Sequence, residues 1–148
     1  MIPNLVLDTN AVLDWLVFDN PGFQPIARVI LLGSVRWVVN AAAREELAHV
    51  LSRGVVDQWQ PDLPLLWRTW ERHATPIEYP PQSSPQRRPQ CTDIDDQKFV
   101  DLALDSGALW LVTRDRALLK LARRARSLGL AIVKPERFTL VDSAVAQA

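Results

Sequence analysis

Four short runs along the chain are apolar almost throughout: 4–7 (Asn-Leu-Val-Leu), 36–39 (Arg-Trp-Val-Val), 109–113 (Leu-Trp-Leu-Val-Thr) and 131–133 (Ala-Ile-Val). None alternates cleanly between apolar and polar positions. Each therefore reads as a strand covered on both faces, as in a parallel sheet. Between them the apolar positions take a helical period. Residues 10–18 are mostly apolar, and 23–32 carry Ile26, Val29 and Ile30 at helical spacing before Gly33. Residues 41–52 are rich in helix formers and stop near Gly54. Residues 62–73 place Leu63, Leu66, Trp67 and Trp70 on one side, and the stretches 93–106 and 116–128 are each closed by a glycine, Gly107 and Gly129. Strand, helices, strand, helices, strand, helix, strand is the order of an α/β fold with a mostly parallel central sheet.

The segment 74–92 breaks the pattern. It holds Pro76, Pro80, Pro81, Pro85 and Pro89 together with Ser83, Ser84 and the pair Arg87-Arg88. It is expected to be a surface crossing with little regular structure. It is not a domain boundary, because the pieces on either side are each too short to close a sheet. The chain of 148 residues then forms one domain, 1–148, with 139–148 as a C-terminal tail.

Composition narrows the class. With 48% hydrophobic and 23% charged residues, the chain is neither disordered nor a coiled coil. Its formal net charge is zero, so any nucleic-acid partner must be drawn by a local basic patch. A single cysteine, Cys91, allows no internal disulfide and fits a reducing compartment. No apolar run approaches the roughly 18 residues of a membrane span, and the N-terminus lacks the basic and apolar regions of a signal peptide. A cytoplasmic location is expected.

The chemistry lies in acids. Ligands of open parallel sheets collect at the carboxyl ends of strands, near the switch in strand order. Asp8 directly follows the run 4–7, and Asp115 follows 109–113 by two residues. If those strands are neighbours, two carboxylates converge, which is unfavourable without a cation between them. Hard oxygen ligands suit Mg²⁺ or Mn²⁺. Glu46 lies on the helix 41–52, and Asp93, Asp95 and Asp96 open the helix 93–106. Aspartates there would equally cap free amides and offset the helix dipole, and Glu46 would equally be a solvated helix acid.

From 114 to 126 the chain carries Arg114, Arg116, Lys120, Arg123, Arg124 and Arg126 against the single acid Asp115. On one helix, Arg116, Lys120, Arg123 and Arg124 share a broad face beside Asp115. That face suits either solvent or a phosphate backbone, and Arg87-Arg88 could extend the track. Six tryptophans supply most of the aromatic volume. Trp37, Trp67 and Trp110 are assigned to packing, whereas Trp15, Trp59 and Trp70 are also candidates for base stacking. His49 and His73 lack a second histidine at ligand spacing.

In order along the chain stand Leu-Val-Leu-Asp8-Thr9-Asn10, Val38-Val39-Asn40 leading to Glu46-Leu47, Cys91-Thr-Asp93-Ile-Asp95-Asp96-Gln97-Lys98-Phe99, and Leu111-Val112-Thr113-Arg114-Asp115. This sequence of motifs resembles the PIN-domain nucleases, and among them the toxins of bacterial type II toxin–antitoxin pairs. The resemblance runs from about residue 4 to about 138. It implies a three-layer α/β/α sandwich and an acidic pocket for one or two Mg²⁺ or Mn²⁺ ions that hydrolyses RNA. It further implies that Asp8, Asp96 and Asp115 hold metal, with Glu46 partly holding a second ion, as the catalytic acids. Asn10 and Thr113 would orient them, and Asp93 would cap, support or share an ion. Arg114, Arg116, Lys120 and Arg123 would carry RNA. A small antitoxin and a second copy of the chain are the implied protein partners. The family's usual spacing puts the third acid at position 97, which here is Gln97. The resemblance favours Asp96, on the helix side shared with Phe99, Val100 and Ala103. Two other functions compete. A haloacid-dehalogenase-like phosphatase also opens on a strand and an aspartate, but needs a second aspartate where Asn10 stands. A non-catalytic nucleic-acid-binding or scaffold module has no need to keep Asp8, Glu46, Asp96 and Asp115.

Overall fold

The computed structural model describes residues 1–78 and 88–140. Strand β1 (Asn4–Leu7) leads into α1 (Thr9–Leu16), and α2 (Gln24–Leu31) leads into β2 (Arg36–Val39). Then come α3 (Ala41–Ser52), α4 (Leu63–His73) and β3 (Ala74–Pro76). The second part of the chain adds α5 (Gln97–Ser106), β4 (Trp110–Val112), α6 (Arg116–Leu119), α7 (Ala122–Arg126) and β5 (Ala131–Val133). The five strands form one sheet in the order β3-β2-β1-β4-β5. All four pairings are parallel, so the sheet is wholly rather than mostly parallel.

The lack of alternation within each strand has its explanation in two cores. Leu5, Leu7, Trp37, Val39, Trp110 and Val112 face one side, where they pack with Ala11, Leu13, Ile26, Ile30, Leu47 and Leu66 of α1 to α4. Val6, Val38, Leu111 and Ile132 face the other, with Phe99, Val100 and Ala103 of α5, Leu118 of α6 and Ala125 of α7. Helices thus cover both faces of the sheet, giving the three-layer sandwich. Trp37 sits at the centre of the first core, with Trp15 and Trp70 edge-on at 5.5 and 5.0 Å between ring centroids. Trp70 is thus a core residue rather than a base-stacking one. Trp59 packs its ring edge-on with Phe18 at 4.7 Å.

Three expectations change. Residues 74–76 belong to the sheet, with Val39 paired to Pro76 at its edge. Proline is tolerated in such a position because an edge strand has one side free of ladder hydrogen bonds. The acidic start of the 93–106 stretch is a 3-10 turn (Ile94–Asp96) ahead of α5. The stretch 116–128 is two short helices, so its basic residues do not share one continuous helical face. The remaining prolines of the crossing from 79 to 87, with Arg87, and the tail from 141 lie outside the described residues.

Gly107 closes α5 in the left-handed region at φ 66°. Its N–H is bonded back to Leu104 at 3.3 Å, and the conformation spares a Cβ the strain it would otherwise meet.

Candidate active site

The order of the strands places β1 and β4 side by side at the centre, with the later connections running outward from them in opposite directions. This is the switch point, and Asp8 and Asp115 follow the ends of those two strands. The Asp8 N–H bonds to the Val112 carbonyl at 3.3 Å, which extends the ladder to the last ordered step before the chains diverge.

Each acid also begins a helical segment. Asp8 Oδ1 accepts from the Ala11 N–H of α1 at 2.8 Å, Asp93 Oδ1 from the Asp95 N–H at 3.0 Å, and Asp115 Oδ1 from the Ala117 N–H of α6 at 2.7 Å. Capping and a ligand role are therefore compatible here. In Asp93 and Asp115 the cap uses only one oxygen, whereas the second oxygen of Asp8 accepts the Thr113 hydroxyl, and the positive end of a helix dipole partly offsets the crowded charge.

Carboxylate oxygens of Asp93, Asp96 and Asp115 lie within 4.8 Å of one another. Asp96 Oδ2 is buried and has no hydrogen-bond partner among the described residues. A buried anionic oxygen without a donor is costly, and a hard cation is the partner its chemistry suits. Burial, then the charge of Asp115 and a hydrogen bond shared with it, and then the charges of Asp93 and Asp8 push the Asp96 carboxyl up to about 7. Asp8 stands beside this trio and is almost fully enclosed. Burial, reinforced by the charges of Asp115 and Asp14, raises its carboxyl to about 6. Like charges held together this way favour a bound proton or a bound cation.

Thr113 links the two strand ends. It is fully buried, its hydroxyl donates to Asp8 Oδ2, and its Oγ1 accepts from the Asp115 N–H at 2.9 Å. Asn10 stands exposed in the first turn of α1, and no hydrogen bond ties it to these acids. Asp95 is exposed. Gln97 turns away from the acids. Its Oε1 accepts from the Cys91 N–H at 2.6 Å, and its Nε2 donates to the Pro89 carbonyl and to Asp101, both at 3.1 Å. Its side chain fastens the segment before Asp93 onto α5. Burial, followed by the charges of Asp96, Asp115 and Asp93, keeps the Cys91 thiol above its ordinary pKa, hence neutral.

Glu46 is not part of the converging trio. Its Oε1 pairs with Lys98 Nζ at 2.8 Å, and its Oε2 accepts the Thr9 hydroxyl. Nothing in local sequence pointed to Lys98, because its partner lies 52 positions away. Arg114, expected to meet RNA, is already engaged. Its Nε donates to Asp14 at 2.7 Å and its Nη1 to Glu136, and these two bonds, Glu136 first, hold its pKa above the ordinary arginine value. Arg88 is likewise buried against α5, paired with Asp101 at 3.3 Å and with Asp105. Neither arginine is a free phosphate contact, whereas Arg116, Lys120 and Arg123 are exposed.

Among the described residues no helix is long and apolar enough to cross a membrane. Residues 4–117 match the family profile described as PIN domain. No curated protein matches the sequence.

Proposed function

The chain belongs to the PIN-domain family, and we propose that it is a divalent-metal-dependent endoribonuclease, the toxin of a toxin–antitoxin pair. PIN domains are in general nucleases, so phosphodiester hydrolysis is the activity that family membership brings. One observation carries the metal-dependent reading: the buried, unpartnered Asp96 oxygen among Asp93 and Asp115. The donor set is all carboxylate oxygen and fits Mg²⁺ or Mn²⁺.

Asp93, Asp96 and Asp115 would hold the ion, with Asp8 adding negative charge beside them. When bound, such an ion lowers the pKa of water and offsets phosphate charge. The protein contributes rigidity. Thr113 fixes Asp8 and Asp115 relative to each other, and the N-termini of α1 and α6 fix one oxygen of each. Hydrolysis adds water across a P–O bond. The water oxygen bonds to phosphorus, one proton ends on the departing ribose oxygen, and the other leaves from the new phosphate monoester. Arg116, Lys120 and Arg123, exposed after Asp115, would hold the flanking RNA backbone. An RNA-cutting enzyme in the cytoplasm must be held in check, so a small antitoxin protein is the expected partner, and a homodimer the expected assembly.

The test is cleavage of single-stranded RNA by purified protein in Mg²⁺ or Mn²⁺, with EDTA and Asp96→Asn as controls. Degradation that stops in EDTA and in the variant supports the reading. Undiminished cleavage in EDTA overturns the metal dependence. Tight RNA binding without cleavage in either ion points to the non-catalytic module instead.

A further inference from the structure

Arg114 stands between two residues that build the acid cluster. Thr113 before it holds Asp8, and Asp115 after it is one of the converging carboxylates. The Arg114 side chain is spent elsewhere, bonded through Nε to Asp14 at 2.7 Å and through Nη1 to Glu136. Asp14 is buried in α1, the helix that Asp8 caps, and Glu136 lies in a 3-10 turn (Pro135–Arg137) just after β5. One guanidinium therefore ties together the helix leaving β1, the turn leaving β4 and the turn leaving β5. The seat is shaped for it. A Cβ on Gly22 would stand 3.1 Å from Glu136 Oε2 and 3.3 Å from Arg114 Nη2, so glycine leaves the pair its room. Pro135 is buried, and the Phe138 ring lies 5.0 Å from that of Trp110 in β4, which anchors the turn from its far side.

Beyond the effect of burial, the charges of Asp115 and Asp14 both raise the Asp8 carboxyl, so Asp8 feels each of them. Like charges at strand ends push the segments that carry them apart unless the backbone is pinned. Thr113 is one tie between the ends of β1 and β4. The bond from Arg114 to Asp14 is a second, charge-assisted one. We propose, resting on the metal-dependent reading above, that Arg114 is a positioning residue which, by bridging Asp14 and Glu136, presets the arrangement of Asp8 and Asp115 for a divalent cation. Position and charge predict opposite signs. If Arg114 acted through its charge, losing it would leave the acids more negative and Mn²⁺ would bind more tightly. If it acts by position, losing it weakens Mn²⁺ binding.

The experiment measures Mn²⁺ affinity by calorimetry in wild type, Arg114→Met, Glu136→Gln and the double variant Arg114→Met/Asp14→Asn. Thermal unfolding in chelator sets a temperature at which all four are folded. The single arginine variant mixes the two effects, because it also leaves Asp14 as an unpaired buried charge. The double variant removes one charge of each sign, so the net charge of the cluster stays as it was and only position changes. It should bind Mn²⁺ about 10- to 100-fold more weakly than wild type, the range for groups that orient metal ligands. Arg114→Met should lose less than the double variant. Glu136→Gln should lose less than about 10-fold, because its carboxylate is half exposed and Asp14 still holds the guanidinium. Cleavage of a short oligouridylate by the double variant should be slow at limiting Mn²⁺ and recover at saturating Mn²⁺. A double variant that binds Mn²⁺ as well as wild type, or better, overturns the proposal and leaves Arg114 a purely stabilising role. A cleavage defect that saturating Mn²⁺ does not relieve overturns it as well, since loss of a direct RNA contact gives that result. A wild type that fails to bind Mn²⁺ overturns the metal-dependent reading itself, and the proposal with it.

Discussion

Asp8→Asn should make the metal-free protein more stable at neutral pH while removing a charge the site depends on. Asp8 is 3% exposed. Burial, ahead of repulsion from Asp115 and Asp14, raises its carboxyl from 3.8 to about 6. At about 1.4 kcal/mol per unit, ionising it in the folded state costs on the order of 3 kcal/mol. Asparagine carries no charge and keeps an oxygen for the Ala11 N–H, since it is itself a good N-cap. It presents an amide nitrogen where Asp8 accepted the Thr113 hydroxyl, and a lost hydrogen bond returns about 1 kcal/mol. The expected balance is a gain of about 1–2 kcal/mol, or a few degrees in Tm. The sign of the pH dependence follows from the raised value. Between about pH 4 and about pH 6 the folded state keeps a proton that the unfolded state has released, so wild-type stability falls as pH rises through that window. Asparagine lacks this slope, so the advantage should shrink towards pH 4, where the folded Asp8 is protonated and the unfolded carboxyl about half so. Thermal unfolding in chelator at about pH 4 and about pH 7.5 reads both effects. Added Mn²⁺ should then raise the Tm of wild type more than that of the variant, by mass action on the folded state. A variant less stable than wild type at the higher pH, or a difference that ignores pH, would refute the reasoning.

Four other variants test neighbouring assignments. Asp96→Asn should abolish Mn²⁺ binding and RNA cleavage, whereas Gln97→Ala should keep part of both and lose about 1–2 kcal/mol of stability with its three hydrogen bonds, as seen in urea unfolding. Arg114→Ala should lower stability by about 2 kcal/mol, because the buried carboxylate of Asp14 loses its partner, and leave the salt slope of RNA binding unchanged. Replacing Arg116, Lys120 and Arg123 by alanine should do the reverse, with RNA affinity and its salt slope falling and Tm nearly constant. An unchanged slope in that triple variant would show a merely solvated surface.

The contrast between these arginines marks what sequence could show. Strands buried on both faces leave continuous apolar runs, and β1, β2, β4 and β5 were visible for that reason. β3 left no such trace, because three residues ending in Pro76 at a sheet edge need neither an apolar run nor a full hydrogen-bond ladder. No glycine or proline marks the break at Lys120 between α6 and α7, so the basic stretch read as one helix. Asp8, Asp115 and Thr113 were legible because strand ends are fixed by the sheet. Glu46 and Arg114 were legible as residues but not as to their partners. Lys98 lies 52 positions from Glu46, and Asp14 lies 100 from Arg114. Only the fold decides which charges meet over such separations. Gln97, which looked like a departure at a ligand position, has a structural task instead, holding the chain ahead of Asp93.

The adjacency of β1 and β4 also has a consequence for how the protein is made. Asp8 leaves the ribosome well ahead of β4, which begins only at Trp110. A nascent chain that has completed β1, β2 and β3 still lacks the strand that seats against the other side of β1, and with it Thr113 and Asp115. For a protein whose chemistry would be directed at RNA, the message and the translating ribosome are the nearest targets during its own synthesis. Its wiring keeps Asp115 away from Asp8 until β4 has been made, so a product of premature termination before β4 would lack that part of the acid cluster. The same arrangement makes β1 a natural seam: two fragments, neither complete alone, would regain the acid cluster only by zipping together along that strand.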